Sequence, residues 1–128
     1  MVKYENNLPI YSQLETNIKK QMVAGRLTPG QKLESVRELA LKAEVNPNTM
    51  QRALANLERE GYLYTERTNG RFVTKDAAKI TNLKEEFSQT IIENFINTMQ
   101  ELGYKKQQLL TMLQNYLERG SLNERAKQ

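Results

Sequence analysis

The 128-residue chain has no cysteine, no histidine and no tryptophan. Without cysteine there are no disulfides, thiolate metal sites, iron–sulfur clusters or thiol nucleophiles. Without histidine the commonest general base and the commonest metal ligand are both missing. An enzyme would be left with carboxylate, Lys, Tyr and Ser/Thr chemistry, and the acids are scattered over positions expected to face outward. No cofactor or metal site is called for. Long apolar runs are also lacking. The longest have three residues, as in Tyr62-Leu63-Tyr64, against the ~20 that a membrane span needs. The first residues show no apolar signal-peptide core. Together these absences predict a soluble cytoplasmic protein that is not an enzyme and has no membrane partner.

What is present is a mild, unevenly placed charge. Lys and Arg total 19 and the acids 15, a net charge of +4. Residues 1–75 hold 12 basic and 8 acidic side chains, whereas residues 76–128 hold 7 of each. The whole excess lies in the first part, so two regions with different roles are expected, 1–75 and 76–128.

Apolar spacing outlines the first region. Ile10, Leu14, Ile18 and Met22 recur every four residues, which predicts a helix that starts after Pro9 and stops near Gly25. Thr28-Pro29-Gly30 reads as a turn between two short extended pieces. Ser35 and Glu38 form a capping box, each able to satisfy a free backbone N–H of the other. The short helix they open turns Leu39, Ala40 and Ala43 inward and stops near Glu44. Asn46-Pro47 opens another, with Asn as N-cap and Pro in the first turn. Met50, Ala53, Leu54 and Leu57 are its apolar side, and Gly61 ends it. Two helices joined around Val45 make a helix-turn-helix. Leu63 to Thr65 and Phe72 to Thr74 read as strands on either side of Arg67-Thr68-Asn69-Gly70-Arg71, where Asn-Gly is a strong hairpin signal. A hairpin in that place is a wing.

In the second region Ile80, Leu83, Phe87, Ile91, Phe95, Met99 and Leu102 follow one another at steps of three or four. This predicts a long helix ended by Gly103. Leu109, Met112 or Leu113, Tyr116 and Leu117 mark another, ended by Gly120, after which the last eight residues are expected to fray. So long an apolar stripe exceeds what a small domain can cover by itself. Leu83, Phe87, Ile91, Phe95 and Met99 are therefore expected to pack against a second copy, giving a homodimer. Folding back on residues 1–75 is the alternative. The fold class is mainly α with a small β wing: a winged helix-turn-helix followed by a two-helix dimerisation appendage.

The polar side of the second short helix carries Asn46, Asn48, Thr49, Gln51 and Arg52 on its first turns, where a recognition helix meets base edges. Asn and Gln pair bidentately with adenine, Arg with guanine, and Thr can touch a thymine methyl. A plain solvated face has the same composition, and the neighbouring wing and capped helix favour DNA. Arg37 lies in the first turn after the Ser35 cap, where free N–H groups and the helix dipole attract a phosphate. Pairing with Glu34 or Glu38 would serve it equally well. Arg67 and Arg71 flank the Asn69-Gly70 tip and suit phosphate or minor-groove contact, with Arg71 the stronger because Gly70 permits close approach.

Residues 8–74 resemble the DNA-binding domain of the GntR transcriptional regulators. The resemblance runs in order through Ile10-Tyr11-Ser12-Gln13-Leu14, Gly25-Arg26-Leu27-Thr28-Pro29-Gly30-Gln31-Lys32-Leu33 and Ser35-Val36-Arg37-Glu38-Leu39-Ala40. It continues through Val45-Asn46-Pro47-Asn48-Thr49, Arg52-Ala53-Leu54, Leu57-Glu58-Arg59-Glu60-Gly61-Tyr62-Leu63 and Gly70-Arg71-Phe72-Val73. The short tail, with Leu102-Gly103-Tyr104 before its second helix, is similar to the YtrA-like subfamily. The resemblance implies a dimer that binds double-stranded operator DNA, usually as a bacterial repressor. It also implies DNA contacts at Arg37, Asn46, Asn48, Thr49, Gln51 and the Arg67–Arg71 hairpin. Glu34 stands where proline is usual, Pro47 and Gln51 where basic residues are frequent, and Thr68 where glycine is common. Fewer guanine-seeking arginines point to an operator richer in A·T. A small-molecule effector is left open, since no residue cluster marks its pocket. The competing reading is a winged-helix module that contacts protein and not DNA.

Overall fold

The computed structural model describes residues 2–126, with the side chains of 121–126 outside the description. Five helices and one hairpin follow in the order α1 (Ile10–Val23), α2 (Val36–Ala43), α3 (Pro47–Arg59), β1 (Leu63–Glu66), β2 (Gly70–Val73), α4 (Ala77–Glu101) and α5 (Lys106–Ala126). The chain divides into two compact units, residues 1–85 and 86–128.

In the first unit α1, α2 and α3 close around one core. Leu14, Ile18 and Met22 of α1 meet Ala40 of α2 and Met50, Ala53, Leu54 and Leu57 of α3, with Leu33, Leu63 and Val73 completing the cluster. Leu54, Leu57 and Val73 are its largest fully buried side chains. Burying one Leu or Val from water contributes ~1.5–3 kcal/mol, so this cluster fixes how α3 is held against α1 and α2. Ile10, expected on the inward stripe, is 43% exposed. It is the first residue of α1, ahead of the turns that reach the core.

The helix starts follow local chemistry. The Ser35 hydroxyl accepts from the Glu38 amide at 3.1 Å, the first half of the expected capping box, and donates to the Glu38 carboxylate at 3.0 Å, a side-chain bond in place of the expected carboxylate-to-backbone half. Asn46 Oδ1 accepts from the Asn48 amide at 2.7 Å, and Pro47 takes the first turn. Between the helices Glu44 adopts the left-handed conformation with φ 57° and ψ 45°, a turn residue that any L side chain adopts at some cost. The N-terminal arm holds this turn. The Tyr4 hydroxyl donates to the Ala43 carbonyl at 2.6 Å, and the Val2 amide donates to a Glu44 carboxylate oxygen at 2.6 Å. Burial, with the Glu44 carboxylate second, raises the Tyr4 phenol above its ordinary pKa, so it stays a neutral donor.

The hairpin is longer in its strands and different in its turn from the sequence expectation. Leu63 pairs with Val73 and Glu66 with Gly70, so Arg67, Thr68 and Asn69 form a three-residue connection. Gly70 has φ 107°, and Asn69 is not among the residues with positive φ. The two-residue Asn-Gly turn is therefore not used. The Asn69 side chain donates to the Glu66 carboxylate at 3.0 Å, tying the connection instead.

In the second unit Gly103, with φ 96°, ends α4, its backbone N–H donating to the Gln100 carbonyl at 2.9 Å. Gly120 does not end α5, which runs on through Ala126. A glycine stops a helix by turning left-handed, and Gly120 has no positive φ. Residues 121–126, expected to fray, are helical backbone, and 127–128 lie outside the described residues.

Candidate nucleic-acid interface

The start of α3 offers its polar side chains to solvent. Asn46, Asn48, Gln51 and Arg52 are exposed and Thr49 is half-buried. They stand opposite Met50, Ala53, Leu54 and Leu57, which the core holds. Arg52 is not loose: its guanidinium carbon lies 3.8 Å from the centroid of the Tyr11 ring on α1. Stacking of this kind orients the planar group while leaving its N–H edges available.

Arg37 is exposed in the first turn of α2 and has no ion-pair partner among the described residues. The two acids that sequence offered it are engaged elsewhere. Glu34 pairs with Lys42, and Glu38 accepts from the Ser35 hydroxyl. The pairing alternative is thus set aside by the structure, and a free guanidinium remains beside a helix N-terminus.

The wing arginines separate. Arg67 is exposed in the connection. Arg71 lies folded against α3, with its Nη2 3.5 Å from a Glu58 carboxylate oxygen, its side chain only 18% exposed and its Nε buried without a hydrogen bond. Sequence reasoning ranked Arg71 above Arg67 for DNA contact; the structure instead makes Arg71 a tie between wing and recognition helix. The reason is strand alternation: Arg71 opposes Thr65 on the side that faces α3.

A basic residue that sequence reasoning passed over stands at this wing. Lys32 bridges Phe72 across the edge of β2, flanked by bonds from the Leu33 amide to the Arg71 carbonyl and from the Val73 amide to the Gln31 carbonyl, both 2.9 Å. Its side chain passes over the tip glycine, where a Cβ on Gly70 would meet Lys32 Cε at 3.2 Å. On the same face Tyr64 and Phe72 stack with centroids 5.4 Å apart. The sequence signal was present, since Lys32 precedes the core residue Leu33 and so must point away from the core.

The residues expected at a dimer face also divide. Leu83 is 4% exposed in the single chain and is therefore no surface for a partner. It lies one turn after Ile80, which packs on the core of the first unit. Phe87 and Met99 are half-buried, and Phe95 remains exposed with Ile91. Within the second unit Ile91 is 67% and Ile92 55% exposed on α4, and Leu110 66%, Tyr116 75% and Leu117 60% on α5.

The gntR family of bacterial regulatory proteins matches residues 10–73. This stretch holds the whole helix-turn-helix and wing. The chain belongs to the GntR family. It is 36% identical over 118 residues to the HTH-type transcriptional regulator YhcF of Bacillus subtilis, covering 92% of this chain and 98% of that one. It is 39% identical over 94 residues to the transcriptional repressor YtrA of the same organism, covering 69% and 72%. Among solved structures, a GntR family transcriptional regulator from Listeria monocytogenes superposes with a TM-score of 0.79 at 39% identity, over 88% of this chain and 98% of that one. The AraR DNA-binding domain, solved in complex with operator ORR3, superposes with a TM-score of 0.51 at 30% identity, over 58% of this chain and 89% of that one. This GntR-family chain is thus a YtrA-like DNA-binding regulator of transcription and not an enzyme. Among its described residues no helix is long and apolar enough to cross a membrane.

Proposed function

We propose that this GntR-family protein is a cytoplasmic repressor that binds an inverted-repeat operator as a homodimer. The observation that carries the reading is the polar start of α3, where Asn46, Asn48 and Gln51 are exposed on a capped helix that a dense core holds in place. In each protomer residues 46–52 enter a major groove. Arg37 grips a phosphate at the start of α2, Arg52 is presented by Tyr11, and Gly70 lets the wing backbone approach the duplex. The relative YtrA is described as a repressor, which favours occupancy of a promoter as the means of control.

Dimerisation is supported by the second unit. Ile91, Ile92 and Phe95 of α4 and Leu113, Tyr116 and Leu117 of α5 are all exposed large apolar side chains. Exposed apolar patches beyond a few hundred Å² mark interaction sites in soluble proteins, and a second copy is the simplest cover. A two-fold protein reads a two-fold site, with half-sites about one helical turn, or a multiple, apart.

Footprinting on the DNA flanking the gene, with gel shifts at two salt concentrations, tests the whole reading. A protected inverted repeat, bound less tightly as salt rises, is the expected result. Absence of any protected site, with equal weak binding to all duplexes, would overturn it.

A further inference from the structure

We infer that Lys32 supplies the wing's phosphate contact, in the role that Arg71, turned to Glu58, leaves open. This deepens the DNA-binding reading and rests on it. Each wing holds three basic side chains near its tip: Arg67 in the connection, Arg71 in β2, and Lys32 on the strand segment beside β2. Arg71 is turned to Glu58 and is mostly buried. An arginine held at a carboxylate with most of its side chain covered presents fewer free N–H groups to a phosphate than an exposed one. Lys32 is exposed and has no ion-pair partner among the described residues.

The backbone of Lys32 is fixed. The isolated bridge to Phe72 and the two 2.9 Å bonds on either side of it tie residues 31–33 to the edge of β2. The ammonium therefore travels with the wing. Its stem lies over Gly70, and its Nζ stands 3.9 Å from where a Cβ of that glycine would be. A phosphate that approaches the wing at Gly70 then meets a cation already in place. The acid of the hairpin, Glu66, accepts a hydrogen bond from Asn69, and no ion pair joins it to Lys32 among the described residues. A lysine acts on phosphate as a point charge, so the contact positions the protein and does not read sequence.

The experiment is operator binding by full-length wild type, Lys32→Ala, Lys32→Arg and, as a control on the second unit, Lys105→Ala, each titrated across salt. Lys32→Ala is expected to weaken binding several-fold on operator and on random duplex alike. The slope of log affinity against log salt should fall by ~0.9 per protomer. Lys32→Arg should keep both affinity and slope, and Lys105→Ala should match wild type. Equal melting temperatures of wild type and Lys32→Ala exclude loss of fold as the cause. An unchanged slope for Lys32→Ala, while wild type binds its operator in a salt-dependent way, overturns the inference and leaves DNA binding intact. A loss confined to one base position per half-site overturns it as well, because Lys32 would then read a base. Failure of wild type to bind any duplex would instead count against the proposed function.

Discussion

Arg52 of the recognition helix stacks on Tyr11 of α1, guanidinium carbon to ring centroid 3.8 Å. The pair joins the reading helix to the helix that opens the domain, and it fixes one of the candidate DNA contacts before DNA arrives. A cation over an aromatic ring at an exposed site contributes ~0.5–1 kcal/mol. Tyr11→Leu is expected to lose about that much stability in urea unfolding and also to weaken operator binding. Tyr11→Phe keeps the ring and should keep both. If Tyr11→Phe were as damaging as Tyr11→Leu, the hydroxyl rather than the stacking would be the source.

Arg37 and Gln51 should separate affinity from specificity. Arg37→Ala removes a phosphate contact, so binding to every sequence weakens and the salt slope falls by ~1. Gln51→Ala removes a base reader, so discrimination at one position per half-site relaxes by ~1–3 kcal/mol with little change on random DNA. Binding-site selection with both variants checks the division; the same shift in both would place these residues wrongly.

The exposed apolar face of the second unit can be broken without touching the winged domain. Ile91→Asp with Phe95→Asp places two charges one turn apart on α4, at positions 67% and 38% exposed in the single chain. Sedimentation should show a folded monomer with much reduced operator affinity, since the two half-sites would no longer be bound together. A variant that sediments as wild type would move the interface elsewhere.

Gly120 offers a test of α5. It sits inside the helix with nothing within 4 Å of where a Cβ would be. Gly120→Ala is therefore expected to stabilise the helix by ~0.5–1 kcal/mol, read as a higher denaturation midpoint. A loss of stability would show that the chain turns at this glycine after all.

Short-range chemistry made much of this molecule legible from sequence. The Ser35 and Asn46 side chains accept from backbone amides three and two residues on, so their caps could be read directly and the starts of α2 and α3 placed to within a residue. The core side of α3 followed from its spacing. What escaped was set by partners distant in sequence. Arg71 meets Glu58 thirteen residues earlier, and Lys32 meets Gly70 only because the strand segment folds onto the wing. The helix stop at Gly120 failed for a related reason: glycine permits a left-handed residue without requiring one, and the surrounding chain decides. Leu83 bears the same periodic signature as Ile91, and only packing tells the buried one from the open one.

The bonds from Tyr4 to Ala43 and from Val2 to Glu44 carry a practical consequence. The Val2 and Tyr4 arm acts as a splint on the elbow between α2 and α3, so trimming these residues is expected to loosen that elbow, and a tag fused beside them is placed next to it. A tagged preparation that binds DNA poorly should be compared with one tagged at the other end before its DNA-facing residues are held responsible.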